Sequence, residues 1–278
     1  MSVTQADKAD RFLKLHRRGD PLLMPNAWDL GSAALLGWLG FKALATTSSG
    51  HAATLGRLDG GVTRDEALAH AAELSAGTDL PISADLENAF ADEPDGVAET
   101  MRLARATGLA GCSVEDYSGR AEDAIYEQGL ARERVAAAAE IAHSGPVRMV
   151  LTARAENLIR GRQDLGDTIA RLQAYQEAGA DVLFAPGLRT AQDIRHVVES
   201  VDRPVSVLAL GRAGMPTVAE LAALGVARVS VGGAFAFAAL ASLREAAEEL
   251  RDRGTYGYLE RTAVGVKSAR AAFSEPSS

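Results

Sequence analysis

A (β/α)8 TIM barrel, an α/β fold, is predicted by three features of the sequence. Eight short β-compatible runs alternate with alanine-rich amphipathic runs in one unbroken succession. The β runs are almost continuously apolar, as strands buried on both faces of a parallel sheet must be, and each stops at a short loop before a helix. The chain has 278 residues, a length that one such barrel takes. An open doubly wound sheet is the competing fold, but no glycine fingerprint follows the first strand, whose exit reads "PNAWD".

The elements follow in order. "LLMPNA" (22–27) is a strand that feeds the helix "LGSAALLGWLG", stopped by Gly40. "KALAT" (42–46) leads into "TSSGHAATLGRLDGG", read as a loop for its Ser and Gly content. In "TRDEALAHAAELSAG", Thr63 and Glu66 have the spacing of a capping box at a helix start. "PISAD" (81–85) precedes an acidic turn and the helix "GVAETMRLARATG", and "LAGCSVED" (109–116) precedes a polar segment and "ARERVAAAAEIAHSG". "VRMVLTAR" (147–154), "ADVLFAPG" (180–187), "PVSVLAL" (204–210) and "VARVSVGG" (226–233) complete the eight, each followed by a helical run. Residues 1–278 are thus expected to form one barrel domain, with about 254–278 as a C-terminal helical extension and frayed tail.

Bulk properties exclude several function classes. The formal charge of −8 disfavours non-specific binding to nucleic acid or an anionic membrane. The one cysteine, Cys112, allows no intrachain disulfide and reads as a small core residue inside the fourth strand. The N-terminal stretch is polar, and no run reaches the roughly 18 apolar residues of a membrane span, so a cytoplasmic protein is expected.

In a barrel, the C-terminal strand ends face the active site. Those exits carry Asn26, Trp28 and Asp29; Thr46, Thr47, Ser48, Ser49 and Gly50; Asp85 and Glu87; Glu115 and Asp116; and Arg154, Glu156 and Asn157. The last three exits have fewer acids and more glycine: Gly187, Gly211 with Arg212, and Gly232 with Gly233. Carboxylates converging from several strands repel one another unless a positive charge sits among them. With oxygen ligands dominant and no CxxC or HExxH pattern, the ion expected is Mg²⁺ or Mn²⁺. Asp85 would bind it directly, and Glu87, Glu115 or Asp59 through water. The competing reading is that these acids cap the following helices, which suits Asp29 and Asp116 best. Arg154 ends an apolar strand, where a guanidinium can clamp a carboxylate in bidentate fashion; its alternative is a salt bridge to Glu115 or Glu156. The "TTSSG" loop offers hydroxyl and N–H donors to a second carboxylate or an oxyanion. "SVGGAF" could hold phosphate or merely permit close packing, and no histidine forms a Ser/His/Asp arrangement.

On these residues the sequence resembles the isocitrate lyase and phosphoenolpyruvate mutase superfamily. The likeness runs from "MPNAWDLGSAALLGWLGFKALATTSSG" through "SADLEN", "GCSVED" and "LTARAEN" to "AALGVARVSVGG". It implies a Mg²⁺-dependent enzyme that makes or breaks a C–C or P–C bond beside an enolpyruvate-like intermediate, in a short keto or hydroxy acid. It implies a homo-oligomer, a tetramer or dimer, in which the last barrel helix swaps between neighbours; here that is the alanine-rich "FAFAALASLREAAEEL". Ser48, Ser49 and Gly50 correspond to the loop that holds the pyruvyl group; Trp28 and Asn157, at strand exits, are expected as further substrate contacts. Asp59 and Glu115 correspond to metal-site acids, and Arg154 to the substrate-binding arginine.

Two departures from the family pattern stand out. The family's third strand carries two aspartates one residue apart, but here the first is Ser83, so Asp85 or Glu87 must take over as ligand. The loop after strand four, "YSGRAEDAIYEQG", lacks the Lys-Lys-Cys-Gly-His stretch of the isocitrate and methylisocitrate lyases and the Asn and Lys pattern of the mutase. Tyr117 and Tyr126 are the proton donors that it offers instead. The resulting expectation is a Mg²⁺-dependent lyase acting on a small anionic keto or hydroxy acid, with Arg154, Glu115 and Asp85 as catalytic residues. Phosphonate P–C chemistry is the alternative, requiring Arg154 with Arg120 or Arg212 close together, and a non-catalytic acid-binding barrel is a third possibility.

Overall fold

Eight short parallel strands form the barrel in a computed structural model that describes residues 3–122, 124–209, 211 and 214–274. They are β1 (Leu22–Met24), β2 (Leu44–Ala45), β3 (Ile82–Asp85), β4 (Gly111–Glu115), β5 (Val150–Arg154), β6 (Val182–Phe184), β7 (Val205–Leu208) and β8 (Arg228–Ser230). From β2 to β8 each pairs with the next, and β8 pairs with β1. The last seam, between β1 and β2, is closed beyond the strand ends. Ala27 N–H donates to Ala45 O at 2.7 Å and Ala45 N–H to Pro25 O at 2.9 Å. The predicted barrel with helices outside it is therefore the fold.

The helices are α1 (Gln5–Lys14), α2 (Leu30–Trp38), α3 (Ser48–Thr54), α4 (Arg64–Ala76), α5 (Pro94–Arg105), α6 (Gln128–His143), α7 (Leu165–Glu177), α8 (Ala191–Glu199), α9 (Val218–Ala223), α10 (Ala234–Glu248) and α11 (Leu259–Ser274). The Thr63–Glu66 capping box opens α4 as its spacing indicates. Asp29 accepts from Ser32 N–H at 2.6 Å and caps α2. Strand–helix packing uses small and aliphatic side chains, among them Ala71, Leu74, Val97, Met101, Ala138 and Leu172, all inaccessible to solvent or nearly so.

Two elements differ from the sequence reading. The polar N-terminal stretch, assigned no element above, forms α1, capped by Thr4 and Asp7, and it closes the bottom of the barrel. Phe12 is fully buried there with Ala9, Leu22, Met24, Val150 and Val182. A Cβ on Gly111 would meet Phe12 Cε1 at 2.9 Å and Val150 O at 2.5 Å, so only glycine lets the plug seat. The stretch after β2, read as a loop, begins with the short helix α3, whose first turn is capped by Thr47.

At the C-terminus, α10 runs through a π-helical turn (Glu249–Arg253) to Gly254, whose φ of 62° reverses the chain into α11. α11 lies along α2, with Phe273 beside Gly31. Phe235, Phe237, Leu240 and Leu243 on α10, which could have faced the barrel, are 40 to 65% exposed. The expected frayed end beyond Ser274 lies outside the described residues. No helix among the described residues is long and apolar enough to cross a membrane.

Phe12→Ala should destabilise the fold by about 3–5 kcal/mol, the usual cost of a large aromatic truncated in a core. Urea unfolding of the two proteins measures it. An effect below about 1 kcal/mol would mean that α1 is not the plug.

Candidate active site

At the C-terminal mouth, a cavity of about 250 Å³ reaches down into the barrel. Asn26, Thr47, Ser48, Ser49, Asp59, Asp85, Arg154 and Glu156 line its upper part. Thus Ser48, Ser49, Asp59, Asp85 and Arg154, singled out from sequence, do come together in one place.

Arg154 is the centre of the arrangement. Its Nη1 donates to Asp85 Oδ1 at 2.9 Å, its Nη2 lies 3.0 Å from Glu115 Oε2, and Nε and Nη2 donate to Glu156 Oε1 at 3.0 and 2.8 Å. The parallel register that sets Glu115 opposite Arg154 fixes one of these pairs before any loop contributes. Burial opposes the charge on Arg154, but Glu115, Glu156 and Asp85 outweigh it and hold the guanidinium protonated. Burial likewise pushes the Glu115 carboxyl well above the usual range; Arg154 opposes that shift, and Glu156 and Asp85 add to it. Arg154 therefore meets the salt-bridge description of the sequence reading, with Asp85 as a third partner. Arg160, one helical turn after Glu156, lies 3.3 Å from its carboxylate and stacks on Tyr117 at 3.5 Å.

Asp85 also accepts from the Ser48 hydroxyl at 3.0 Å, and its own N–H donates to Thr46 Oγ1 at 2.8 Å. The chain then turns through Glu87, Ala89 and Phe90 with φ of 50°, 59° and 55°, left-handed geometry that non-glycine residues seldom adopt. Arg134 clamps this turn from below, donating to the carbonyls of Asn88 and Asp92, each at 2.6 Å, and to that of Ala91. Burial first, then the charges of Asp85 and Asp59, push Glu87 up to about 7. This mutual repulsion of Asp85, Glu87 and Asp59 is the chemistry of a donor set suited to a hard, hydrated cation. Among the described residues, no group of three or more His, Cys, Asp or Glu side chains is placed to hold an ion alone. Asp85 would supply the direct contact and water the rest. Glu115 is turned to Arg154 instead.

Below the Ser48 turn, Gly50 packs under Trp28 and Ala236, where a Cβ would approach Thr47 Cγ2 to 2.4 Å. His51 and His70 stack face to face with ring centres 3.9 Å apart, and His70 Nε2 bonds Trp28 O at 3.1 Å. Burial, then His51, lowers the His70 pKa to about 4, so it is neutral at physiological pH.

Several predicted residues lie elsewhere. Trp28 and Asn157 do not line the cavity; Asn157 is fully buried and donates to Thr168 Oγ1 at 2.7 Å and Asp164 O at 3.1 Å. Tyr126 is buried against Asp92, Asn88 and Arg134, away from the cavity. Arg120 pairs with Asp92 at 2.9 Å on the surface, and Arg212 lies outside the described residues. Asp116 is no helix cap: it accepts from Tyr175, Arg171 and Glu156 N–H in the interior. Cys112 is fully buried, with burial pushing its thiol up to about 12. Sequence reasoning missed Arg160 and Arg228. The i, i+4 spacing from Glu156 was the available signal for the first, and a lone charge at the head of an apolar strand for the second.

Residues 12–251 match the family model of phosphoenolpyruvate phosphomutase. An uncharacterized protein of Mycobacterium tuberculosis is 33% identical over 243 residues, covering 87% of this chain and 89% of that one. A Burkholderia cenocepacia crystal structure described as a lyase or mutase superposes with a TM-score of 0.93 at 48% identity, covering 98% of this chain and 97% of the other. A 2,3-dimethylmalate lyase structure gives a TM-score of 0.83 at 26% identity over 97% of this chain and 95% of its own.

Glu87 generates a pH-dependent prediction. Its folded pKa of about 7 lies above the ordinary 4.5, so the folded state binds more protons between those values. Its stability contribution therefore falls as pH rises through that window, and the cost is complete above it. In metal-free buffer at pH 8, Glu87→Gln should be more stable than wild type by on the order of 2 kcal/mol, with no gain at pH 4.5. Denaturant titrations at the two pH values decide it, since an equal difference at both would exclude a charge effect.

Proposed function

The chain belongs to the phosphoenolpyruvate phosphomutase family, and we propose that within it this protein is a Mg²⁺- or Mn²⁺-dependent carbon–carbon lyase. It is an enzyme of the superfamily acting on small carboxylic acids. The proposed substrate is a 2-hydroxy or 2-keto dicarboxylic acid, broken through an enolpyruvate-like intermediate. One observation carries this reading: the Arg154 guanidinium and the Asp85 and Asp59 acids line one cavity mouth, with a hydroxyl-bearing turn beside them and Glu87 near enough to feel the charge of both acids.

The roles follow from the contacts. Glu115 and Glu156 hold the guanidinium plane of Arg154, leaving the Asp85 contact as the one that a substrate carboxylate would replace. Ser48 and Ser49 orient the pyruvyl end through hydroxyl and N–H donors. Asp85 would hold the divalent cation, with Glu87 and Asp59 acting through water. When bound, that ion would supply Lewis-acid stabilisation of charge on the substrate's carbonyl oxygen. The form of the phosphonate alternative that relies on Arg120 loses support because Arg120 is engaged by Asp92 on the surface, while Arg212 lies outside the described residues. A cytoplasmic location fits this metabolic role.

Assembly belongs to the same proposal. The apolar side chains that α10 leaves exposed are covered by a second copy of the chain in a homo-oligomer, a tetramer or dimer. Light scattering at micromolar concentration should show the oligomer, and Phe237→Glu with Leu243→Glu should dissociate it; a wild-type monomer would end the proposal.

Incubation with Mg²⁺ and a panel of substituted malates, oxaloacetate and phosphonopyruvate should give metal-dependent release of a keto acid from a dicarboxylate. Absence of turnover with tight oxalate binding would point to the non-catalytic barrel. On the active substrate, Arg154→Lys should keep most of the stability but lower kcat/KM by about 30-fold or more, because a point charge lacks the paired donors. Arg154→Ala should in addition lose about 3–5 kcal/mol of stability, having stranded buried carboxylates. If the lysine variant turns over normally once folded, Arg154 is scaffold only.

A further inference from the structure

The floor of the cavity differs in charge from its mouth. Arg228, the first residue of β8, is 2% exposed and extends across the barrel. Its Nε donates to Ser206 Oγ at 2.8 Å and its Nη1 to Thr152 Oγ1 at 3.0 Å, with His16 Nε2 at 3.4 Å. Thr152 lies two residues before Arg154 on the same face of β5, so this layer sits roughly 7 Å below the mouth by strand rise. Phe184 stands close to both guanidiniums, 5.3 Å from Arg154 and 5.9 Å from Arg228.

Arg154 has three carboxylates; Arg228 has none among the described residues, and nothing acidic offsets its burial. Burial, then Arg154, lowers its pKa to about 9, which leaves it charged at neutral pH. Its one hydrogen-bonded neighbour that could take a proton is no counter-ion, because burial and Arg228 hold His16 neutral with a pKa of about 3. Nη2 makes no hydrogen bond to a described residue. Around it, the hydroxyls of Ser83, Ser113 and Ser230 line the same cavity, nearly buried and likewise without a protein partner among the described residues. A barrel core ordinarily fills this layer with branched apolar side chains. Here it holds an uncompensated buried cation and three unspent donors, an arrangement that is unfavourable unless an anion completes it.

We propose that this floor is an oxyanion subsite, in which Arg228 with Ser83, Ser113 and Ser230 receives a second anionic group of the substrate. The ligand chemistry is a carboxylate or phosphonate group carried at the far end of a molecule whose near end lies at Arg154. Ser83 is part of the design: an acid at this position would neutralise Arg228 across the chamber. The subsite depends on the proposed function only in calling its anion part of a substrate, and its binding can be tested without turnover.

The test is calorimetric titration in EDTA-containing buffer with malonate, methylphosphonate and the neutral acetamide. Without a cation, Arg154 is occupied by protein carboxylates, so anion binding reports on the floor. Wild type should bind malonate or methylphosphonate at least tenfold more tightly than acetamide, and the tighter of the two identifies the group. Arg228→Gln and Ser83→Asp should each abolish that preference; the second keeps the test open if the first fails to fold. Unchanged preference in both variants, or no preference in wild type, would overturn the subsite and leave Arg228 as a strut. Anion binding that disappears in the variants, in a protein that turns over no dicarboxylate, would retain the subsite and reject the lyase.

Discussion

The mouth of this barrel depends on one buried guanidinium. Asp85, Glu115 and Glu156 arrive from the ends of β3, β4 and β5, and without a cation among them their repulsion would force protonation or separation. Arg154 resolves this because it is itself a strand residue, set by register beside Glu115 and unable to drift as a loop side chain would. Its planar fork meets three acids from three directions, which a lysine could not do. The same contacts make it both a structural part and the cation nearest to an incoming acid. Those two roles were alternatives in the sequence; the ion pairs show the structural one, and the substrate-binding one belongs to the proposed function.

The barrel was legible because parallel strands buried on both sides leave a nearly unbroken apolar signature, and all eight were located from it. The strand-exit rule pointed to Ser48, Ser49, Asp85 and Arg154, which line one cavity together with Asp59. It failed where a residue lies just beyond the exit and turns away. Asn157 follows Glu156 directly, yet points into the packing beneath α7, because successive residues there face opposite sides. α1 was missed because its sequence is mostly polar; the face carrying Ala9 and Phe12 is narrow, and its partner, the barrel floor, is a tertiary feature. Arg228 was missed because a single arginine in "VARVSVGG" does not reveal whether it points inward, and inward is where a charge is least expected.

Position along the barrel axis separates the charges. Acids collect at the rim, where water and a hydrated cation can reach them. Hydroxyls and a lone guanidinium occupy the layer below, and apolar side chains and α1 seal the bottom. A small acid entering this cavity would thus meet surroundings of changing sign over a single side-chain layer. Such a gradient orients a molecule end for end, which a uniformly positive pocket cannot do.

The left-handed turn at Glu87, Ala89 and Phe90 has a consequence for the timing of catalysis. Unfavourable backbone angles persist only where surrounding contacts over-determine them, and here Arg134 supplies those contacts from beneath through three carbonyl groups. The conformational entropy of this segment is therefore surrendered during folding, not at the encounter with a ligand. The backbone of this turn is already set when a molecule arrives, so reorganisation energy in this segment is low. Any adaptation to ligands of different shape must come from the other segments that border the cavity.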